Sequence, residues 1–471
     1  MPDAFAAVDL GATSGRVMIG HVTPEAVRLD TVSRFPNGPI DTVDGIHWNV
    51  LELYRRVVEG LNLAAEREEP RSVAVDSWGA DYGLLRGGRL LGSPFHYRDG
   101  RNPPAAERAH RTVPFERMYR ASGLQFLPFN TVYQLVAEED GGLLDVADRL
   151  LMIPDLIGYL LSGEVVSEST NASTTGLIDI ATGEWNRGLA RELSIPDDIF
   201  APLTPPGTRV GGLRASVGLS RAVELVTVGS HDTASAVVAV PAEGDEIAYI
   251  SSGTWSLVGL ELPGPVVTEA SRAANFTNES GVDGRTRFLR NVSGLWLLDE
   301  TIRTWRRSGQ DVDHAALLGA AADVDPSAAV LFDAEDPRFI PPGDLPARIA
   351  DWCAEHDVRP PAGRAELVRS ILESLAEAYA RAIRQAEDLT GRHVETVHIV
   401  GGGANNRLMC QLTADRTGLP VLAGPVEATA LGNVLVQARA LGAISGSLEA
   451  LRAIVSRSFT PIGYLPRGGG G

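Results

Sequence analysis

The chain has 471 residues, 44% of them hydrophobic and 22% charged, with a formal net charge of −18. A single core stops growing at roughly 250–300 residues, so two domains are expected, and the acidic balance excludes nucleic acid and anionic membrane as partners. All 42 basic residues are Arg, which rules out a P-loop lysine, a protein-kinase strand lysine and a Schiff-base lysine. Ala4 to Leu10 reads as a strand, Gly11 to Gly15 as a tight turn and Arg16 to Val22 as a second strand. Leu53, Tyr54, Val57, Val58 and Leu61 recur at helical spacing within 50–67. Ser72 to Val75 is a short strand ending in Asp76, and 84–91 a hairpin. The Arg-, Pro- and aromatic-rich stretch 96–135 predicts loops and short helices capping a pocket.

Strand Leu225 to Val228 runs into Gly229-Ser230-His231-Asp232, and a helix of small residues, Thr233 to Val240, follows. Pro241 to Asp245 is a linker, which sets the domains at 1–243 and 244–460, with 461–471 a flexible tail. Ala248 to Val258 repeats the opening strand, turn, strand pattern. Residues 365–389 place Leu367, Ile371, Leu375, Ala378, Ala382 and Leu389 on one helical face. Strand Val394 to Val400, Gly401-Gly402-Gly403, helix Asn405 to Thr417, strand Val421 to Ala423 and helix Glu427 to Leu441 close the chain. Strands alternating with long helices in both halves predict two α/β domains, with a ligand cleft between them. Two cysteines, Cys353 and Cys410, and no CxxC pair argue against a zinc knuckle or a disulfide scaffold and fit a cytoplasmic protein. No signal peptide and no spanning helix are expected.

Without lysine, phosphate chemistry must run on backbone N–H groups, hydroxyls, carboxylates, Arg and metal. Asp9-Leu10-Gly11-Ala12-Thr13-Ser14-Gly15-Arg16 offers a concavity of N–H groups with two added hydroxyls. Asp9, at a strand end, suits Mg²⁺, since hard cations take carboxylate oxygen. Ser252-Gly253-Thr254-Trp255-Ser256 repeats that logic in the second half, and two such turns would clamp a triphosphate. The three glycines at 401–403 let a flat ring lie against backbone, or simply turn a strand into an Asn-capped helix. In Gly229-Ser230-His231-Asp232-Thr233 the preferred general base is Asp232, with His231 as the alternative base or as a sugar contact, and helix capping as the plainer job for Asp232. Trp78, Asp81, Arg98 and Asp99 combine an aromatic face with polar side chains, as sugar sites do.

These motifs, in this order, resemble the FGGY carbohydrate kinases, a branch of the actin-like ATPase superfamily, from about residue 4 to about residue 455. "VDLGATSGRVM" resembles the family's first phosphate motif, "SSGTWSLVG" its second, and "VHIVGGGANNRLMCQLTADRTGLPV" with "GPVEATALGN" its adenosine segment. Four stretches, "DSWGADYGLL", "YRDGRN", "GSHDTASAV" and "RNVSGLWLLDE", resemble the members that phosphorylate L-rhamnulose.

The resemblance implies two ribonuclease-H-like α/β domains with an interdomain catalytic cleft, taking ATP, Mg²⁺ and a small ketose, in a monomer or small homo-oligomer. It implies that Ala12, Thr13, Ser14, Gly15, Arg16 and Thr254 contact ATP, that Gly402 lies at the nucleotide, and that Asp232 is the proton acceptor. Gly79, His231, Asp232, Thr233 and Asn291 would line the sugar site, with Trp78 and Arg98 beside them. Asp299 stands where the family has a nucleotide-contacting Gln, and a carboxylate accepts but cannot donate. The alternatives are a kinase for L-fuculose or L-xylulose, or an actin-like ATPase acting on a protein partner.

Overall fold

Phe5 to Val8 and Leu10 are completely buried, an apolar run that belongs in the middle of a sheet covered on both faces. In the computed structural model, which describes residues 3–220 and 222–467, that run is strand β1 (Asp3–Leu10). With it the first sheet holds β2 (Ser14–Val22), β3 (Val27–Pro36), β4 (Ser72–Ser77), β5 (Arg209–Gly212) and β6 (Glu224–Val226), in the order β5-β6-β4-β1-β2-β3. The β1 to β2 hairpin is antiparallel, with Asp9 opposite Arg16 and Leu10 opposite Gly15. β4 lies parallel to β1 on its other side and brings Asp76 level with Asp9.

Helix α1 (Val50–Arg67) starts at Asn49, whose side chain accepts the Glu52 N–H, and buries Val50, Leu53, Val57, Leu61 and Ala64. The stretch predicted as loops and short helices carries three helices, Asn102–Thr112, Phe115–Ser122 and Thr131–Glu138. They share a core with the small sheet of Tyr82–Arg86, Arg89–Leu90 and Arg149–Met152. A single helical turn, α2 (Ser169–Ala172), and helix α3 (Asp232–Val238) complete the parts that shape the candidate site.

The second sheet carries β7 (Ile247–Ser252), β8 (Trp255–Leu262), β9 (Thr396–Val400), β10 (Val421–Ala423) and β11 (Ile462–Tyr464). β7 pairs antiparallel with β8 and parallel with β9, so the hairpin pattern predicted from sequence recurs. Its helices include α4 (Trp296–Arg307), the long α5 (Arg364–Thr390) and α6 (Arg407–Thr417). Helix α7 (Ala428–Ala440) follows.

The chain forms two compact units, but not by a single cut. The first comprises Met1–Glu243, Glu261–Phe288 and Ala428–Phe459; the second comprises Gly244–Leu260, Leu289–Glu427 and Thr460–Gly471. The linear boundary at 243/244 is thus the first of several crossings. α7 packs on β1 and β4 and lies close against α3, where Gly432 leaves room: a Cβ there would lie 1.8 Å from the Ser235 carbonyl oxygen. The flexible tail expected at 461–471 is corrected at its start. Ile462–Tyr464 pairs antiparallel with β10, and Arg467 bonds Asp415 at 2.6 and 3.0 Å. An edge strand's open N–H and C=O groups invite such pairing; residues 468–471 lie outside the described residues.

Candidate active site

The β1–β2 turn is held by its own backbone and by one asparagine. Gly11 N–H donates to the Ser14 carbonyl (2.9 Å), and Asn37 returns its side-chain N–H to Gly11 (2.8 Å) and its backbone N–H to Thr13 (3.0 Å). Thr13 is exposed at the tip. Gly15 is dictated by a close approach: a Cβ there would sit 2.3 Å from the Phe35 ring. Arg16 turns back on Asp9, its Nε and Nη2 lying 2.8 and 2.7 Å from Asp9 Oδ2.

Three carboxylates share this end of the first sheet. Asp76, level with Asp9, is completely buried and accepts the Asn433 amide N–H at 2.6 Å. Asn433 Oδ1 in turn accepts from Gln437 (2.6 Å), whose Oε1 accepts the Ser72 hydroxyl (2.6 Å), so a directed chain of amides ties α7 to β4. Burial pushes the Asp76 carboxyl well above the usual range, and the charges of Asp9 and Asp232 push it the same way. Among the described residues Asp76 Oδ1 has no hydrogen-bond partner. Among the described residues no three His, Cys, Asp or Glu side chains cluster closely enough to hold a metal ion by themselves. One or two carboxylates beside an open oxygen fit a Mg²⁺ that arrives on nucleotide phosphates and keeps its waters.

Asp232 is the first residue of α3, and His231 occupies the capping position without capping, so Asp232 is not spent as a helix cap. Its carboxylate accepts the Thr233 hydroxyl at 3.1 Å and keeps 32% of its side-chain exposure. Burial raises its pKa; His231 opposes this, while Asp9 reinforces it. The turn leading to it hangs on a buried residue that the sequence reading passed over. Glu168 accepts the Ser230 N–H (3.0 Å), the Ser230 hydroxyl (2.7 Å), the Thr170 N–H (2.9 Å) and the Thr170 hydroxyl (2.5 Å). Thr170 Oγ1 then accepts the His231 N–H at 3.2 Å. On its other side His231 meets Glu279 and Arg287, both buried and both also missed. The one available signal was charge in two short runs, Glu279 in Thr277–Ser280 and Arg287 with Arg290 in Thr286–Ser293.

The stretch after Asp76 departs from its expected role in part. Asp81, expected at the sugar, is completely buried and accepts from the indole N–H groups of Trp48 (2.5 Å) and Trp78 (2.9 Å), from Gln134 (2.7 Å) and from the Tyr97 N–H (3.3 Å). Burial pushes it up to about 6 against those donors. Asp99 likewise serves the backbone of Ile46 and Arg101. Trp78 is buried, packs at 4.2 Å on Trp48 and spends its indole N–H on Asp81. Gly79 has no room for a side chain, since a Cβ would lie 2.8 Å from Thr174 Oγ1. Arg98 lies over the Tyr97 ring at 5.2 Å.

In the second unit the β7–β8 turn closes with Gly253 N–H on the Trp255 carbonyl (2.9 Å). The start of α4 braces it: Leu295 N–H donates to Gly253 (3.1 Å) and Trp296 N–H to Thr254 (3.2 Å). Gly403 packs on β7, where a Cβ would stand 2.0 Å from Ser252 Oγ, whereas a Cβ on the exposed Gly402 would meet nothing within 4 Å. Asn406 caps α6 through the Met409 N–H (3.0 Å), as the plainer reading of that turn has it. Asp299 is exposed on the first turn of α4, and Asn291 lies in Thr286–Ser293.

Comparison with known proteins agrees with these elements. The profile of the FGGY family of carbohydrate kinases, N-terminal domain, matches residues 5–239, and that of its C-terminal domain matches 248–441. The chain is 37% identical to the rhamnulokinase of Bacteroides thetaiotaomicron over 99% of its own length and 96% of that protein's. It is 41% identical to the rhamnulokinase of Pectobacterium carotovorum, covering 98% and 92%. The fold is shared with a ligand-bound xylulose kinase from Lactobacillus acidophilus (TM-score 0.80, 15% identity, 99% and 94% covered) and with Plasmodium falciparum glycerol kinase with ADP (TM-score 0.75, 14% identity, 99% and 94% covered). With both domain profiles matched along almost the whole chain, this protein belongs to the FGGY family of carbohydrate kinases.

Proposed function

We propose that the chain transfers the γ-phosphoryl group of ATP to the 1-hydroxyl of L-rhamnulose, giving L-rhamnulose 1-phosphate and ADP. The choice of sugar rests on relatives named rhamnulokinase at 37–41% identity over nearly the whole chain. The observation that carries the chemistry is Asp232: a partly exposed carboxylate at a helix start, beside His231, grouped with Asp9 and Asp76.

Asp232 accepts the proton of the sugar hydroxyl as that oxygen attacks the γ-phosphorus in line. His231 and Thr233 orient the sugar, with Gly79, Asn291, Trp78 and Arg98 as further contacts. The turn from Ala12 to Arg16 and Thr254 hold the phosphates through N–H and hydroxyl donors, placing charge stabilisation where charge develops. Gly402 contacts the nucleotide, and Asp299 accepts from one of its hydroxyls. Mg²⁺, held by Asp9, would neutralise phosphate charge when bound with ATP.

The test is ADP release from the purified protein with L-rhamnulose, L-fuculose, L-xylulose and L-ribulose, with the product's phosphate located by NMR. Highest kcat/KM on L-rhamnulose with a 1-phosphate product is the expected result. Preference for another ketose would replace the substrate, and ADP release indifferent to every ketose would sink the kinase reading.

A further inference from the structure

Arg287 is completely buried, and among the described residues its Nη2 has no hydrogen-bond partner, so its polar contacts run through Nε and Nη1. Its Nε donates to the Ser280 carbonyl at 3.1 Å, and its Nη1 lies 3.0 Å from both Glu279 Oε2 and His231 Nδ1. A guanidinium has donors only, so His231 Nδ1 meets Arg287 as an acceptor. An imidazolium, or a tautomer protonated on Nδ1, would set two N–H groups against each other. Glu279 Oε2 is also 3.2 Å from Nδ1, yet among the described residues it has no hydrogen-bond partner. The carboxylate therefore balances the charge of Arg287 without taking the ring's proton. Burial pushes the Glu279 carboxyl up, but the charge of Arg287 pulls it below its ordinary value, so it stays an anion.

A neutral imidazole with a bare Nδ1 carries its proton on Nε2. Nε2 is the nitrogen that lies 3.6 Å from Asp232 Oδ1. We propose that Arg287, balanced by Glu279, is a positioning residue that fixes His231 in the Nε2–H tautomer, so that the ring presents a donor on the Asp232 side, to that carboxylate and to an oxygen of the ketose. The opposite tautomer would turn a lone pair toward the base. The inference deepens the assignment of Asp232 and His231 to the sugar site and rests on it for its consequence in turnover, but the tautomer itself does not depend on substrate.

The test is a ¹⁵N-histidine NMR spectrum of the wild-type protein, with the His231 ring assigned by its loss in His231→Gln. The expected pattern is a protonated Nε2 and a bare Nδ1; a protonated Nδ1 overturns the proposal. In the double variant Arg287→Met with Glu279→Gln, which removes both buried charges together, the ring should become a mixture of tautomers. On whichever ketose the wild type turns over, kcat should fall by about tenfold or more while the KM for ATP stays within about twofold. A double variant with an unchanged tautomer and an unchanged kcat also overturns the proposal. Should that variant not fold, the wild-type spectrum decides. A wild type inert toward every ketose would count against the proposed function and leave the tautomer measurement standing.

Discussion

One carboxylate oxygen of Glu168 accepts both the backbone N–H and the hydroxyl of Ser230, at 3.0 and 2.7 Å. The Thr170 hydroxyl (2.5 Å) and the Asn171 N–H (3.2 Å) converge on the same oxygen. Four donors on one oxygen demand an anion, and Glu168→Gln cannot supply one. Its amide must either offer a weaker neutral acceptor or point N–H at N–H. The loss should be about 1.5–3 kcal/mol for a charged hydrogen-bond acceptor. Because the Ser230–His231 peptide delivers Asp232, kcat should also fall by about tenfold or more, with the KM for ATP little changed. Steady-state kinetics beside a thermal melt check both; a variant with a lowered Tm and a normal kcat would make Glu168 a strut and nothing more.

Beneath Glu168 lies a second buried carboxyl, Asp155, whose two oxygens face the Glu168 N–H at 3.2 and 3.3 Å. Burial raises the Asp155 pKa well above the carboxylate range, and the Glu168 charge raises it further. The sign follows from linkage: a carboxyl raised on folding contributes stability below its unfolded value of about 3.9, and that contribution drains away as pH rises toward the folded value. Asp155→Asn keeps an acceptor for the Glu168 N–H and has nothing to titrate. Its Tm relative to the wild type should therefore climb as pH is raised from about 4 toward neutrality. Melts across that range test it, and a difference that stays flat or falls would show that Asp155 is ionised in the fold.

The same sign reasoning applied to Asp232 bears on catalysis. Burial raises its pKa, with Asp9 adding to the effect and His231 opposing it. A base works only when ionised, so kcat/KM should fall with acidification at a pH above the ordinary Asp value of about 3.9. Asp232→Asn should fold and bind ATP yet lose on the order of 10²–10⁴ in turnover. Binding measured by calorimetry and turnover by coupled assay separate the two effects; near-normal turnover would remove Asp232 from the role of base.

What the sequence disclosed was local. The hairpins around Gly11–Gly15 and Ser252–Ser256, and the long apolar face of 364–390, are each written in a few adjacent residues, and all three form. The charged groups around the candidate base were not legible, because Glu168 and Ser230 are 62 positions apart and Arg287 and His231 are 56. No periodicity links residues so far apart in the chain. Asp81 shows the converse error. Beside Trp78 it reads like a sugar ligand, but only the fold reveals that two indoles and Gln134 already use its oxygens. The return of α7 to the first unit was equally hidden, because Asn433, Gln437 and Gly432 look like any helix residues until Asp76, Ser72 and Ser235 are beside them.

Gly294 offers the sharpest steric test of the second turn. It sits between Thr286–Ser293 and α4, and a Cβ there would lie 2.6 Å from the Trp255 carbonyl carbon, 2.7 Å from the Thr254 oxygen and 2.8 Å from the Gly253 oxygen. Those are backbone atoms, which cannot swing aside as a side chain would. Gly294→Ala must therefore push the Gly253–Thr254 turn away from the Leu295 and Trp296 N–H groups that brace it. If Thr254 holds a phosphate, the KM for ATP should rise by about tenfold or more. The fluorescence of a bound ATP analogue, titrated with and without sugar, gives the affinity directly. A Gly294→Ala protein with wild-type ATP affinity would mean that the β7–β8 turn takes no part in holding the nucleotide.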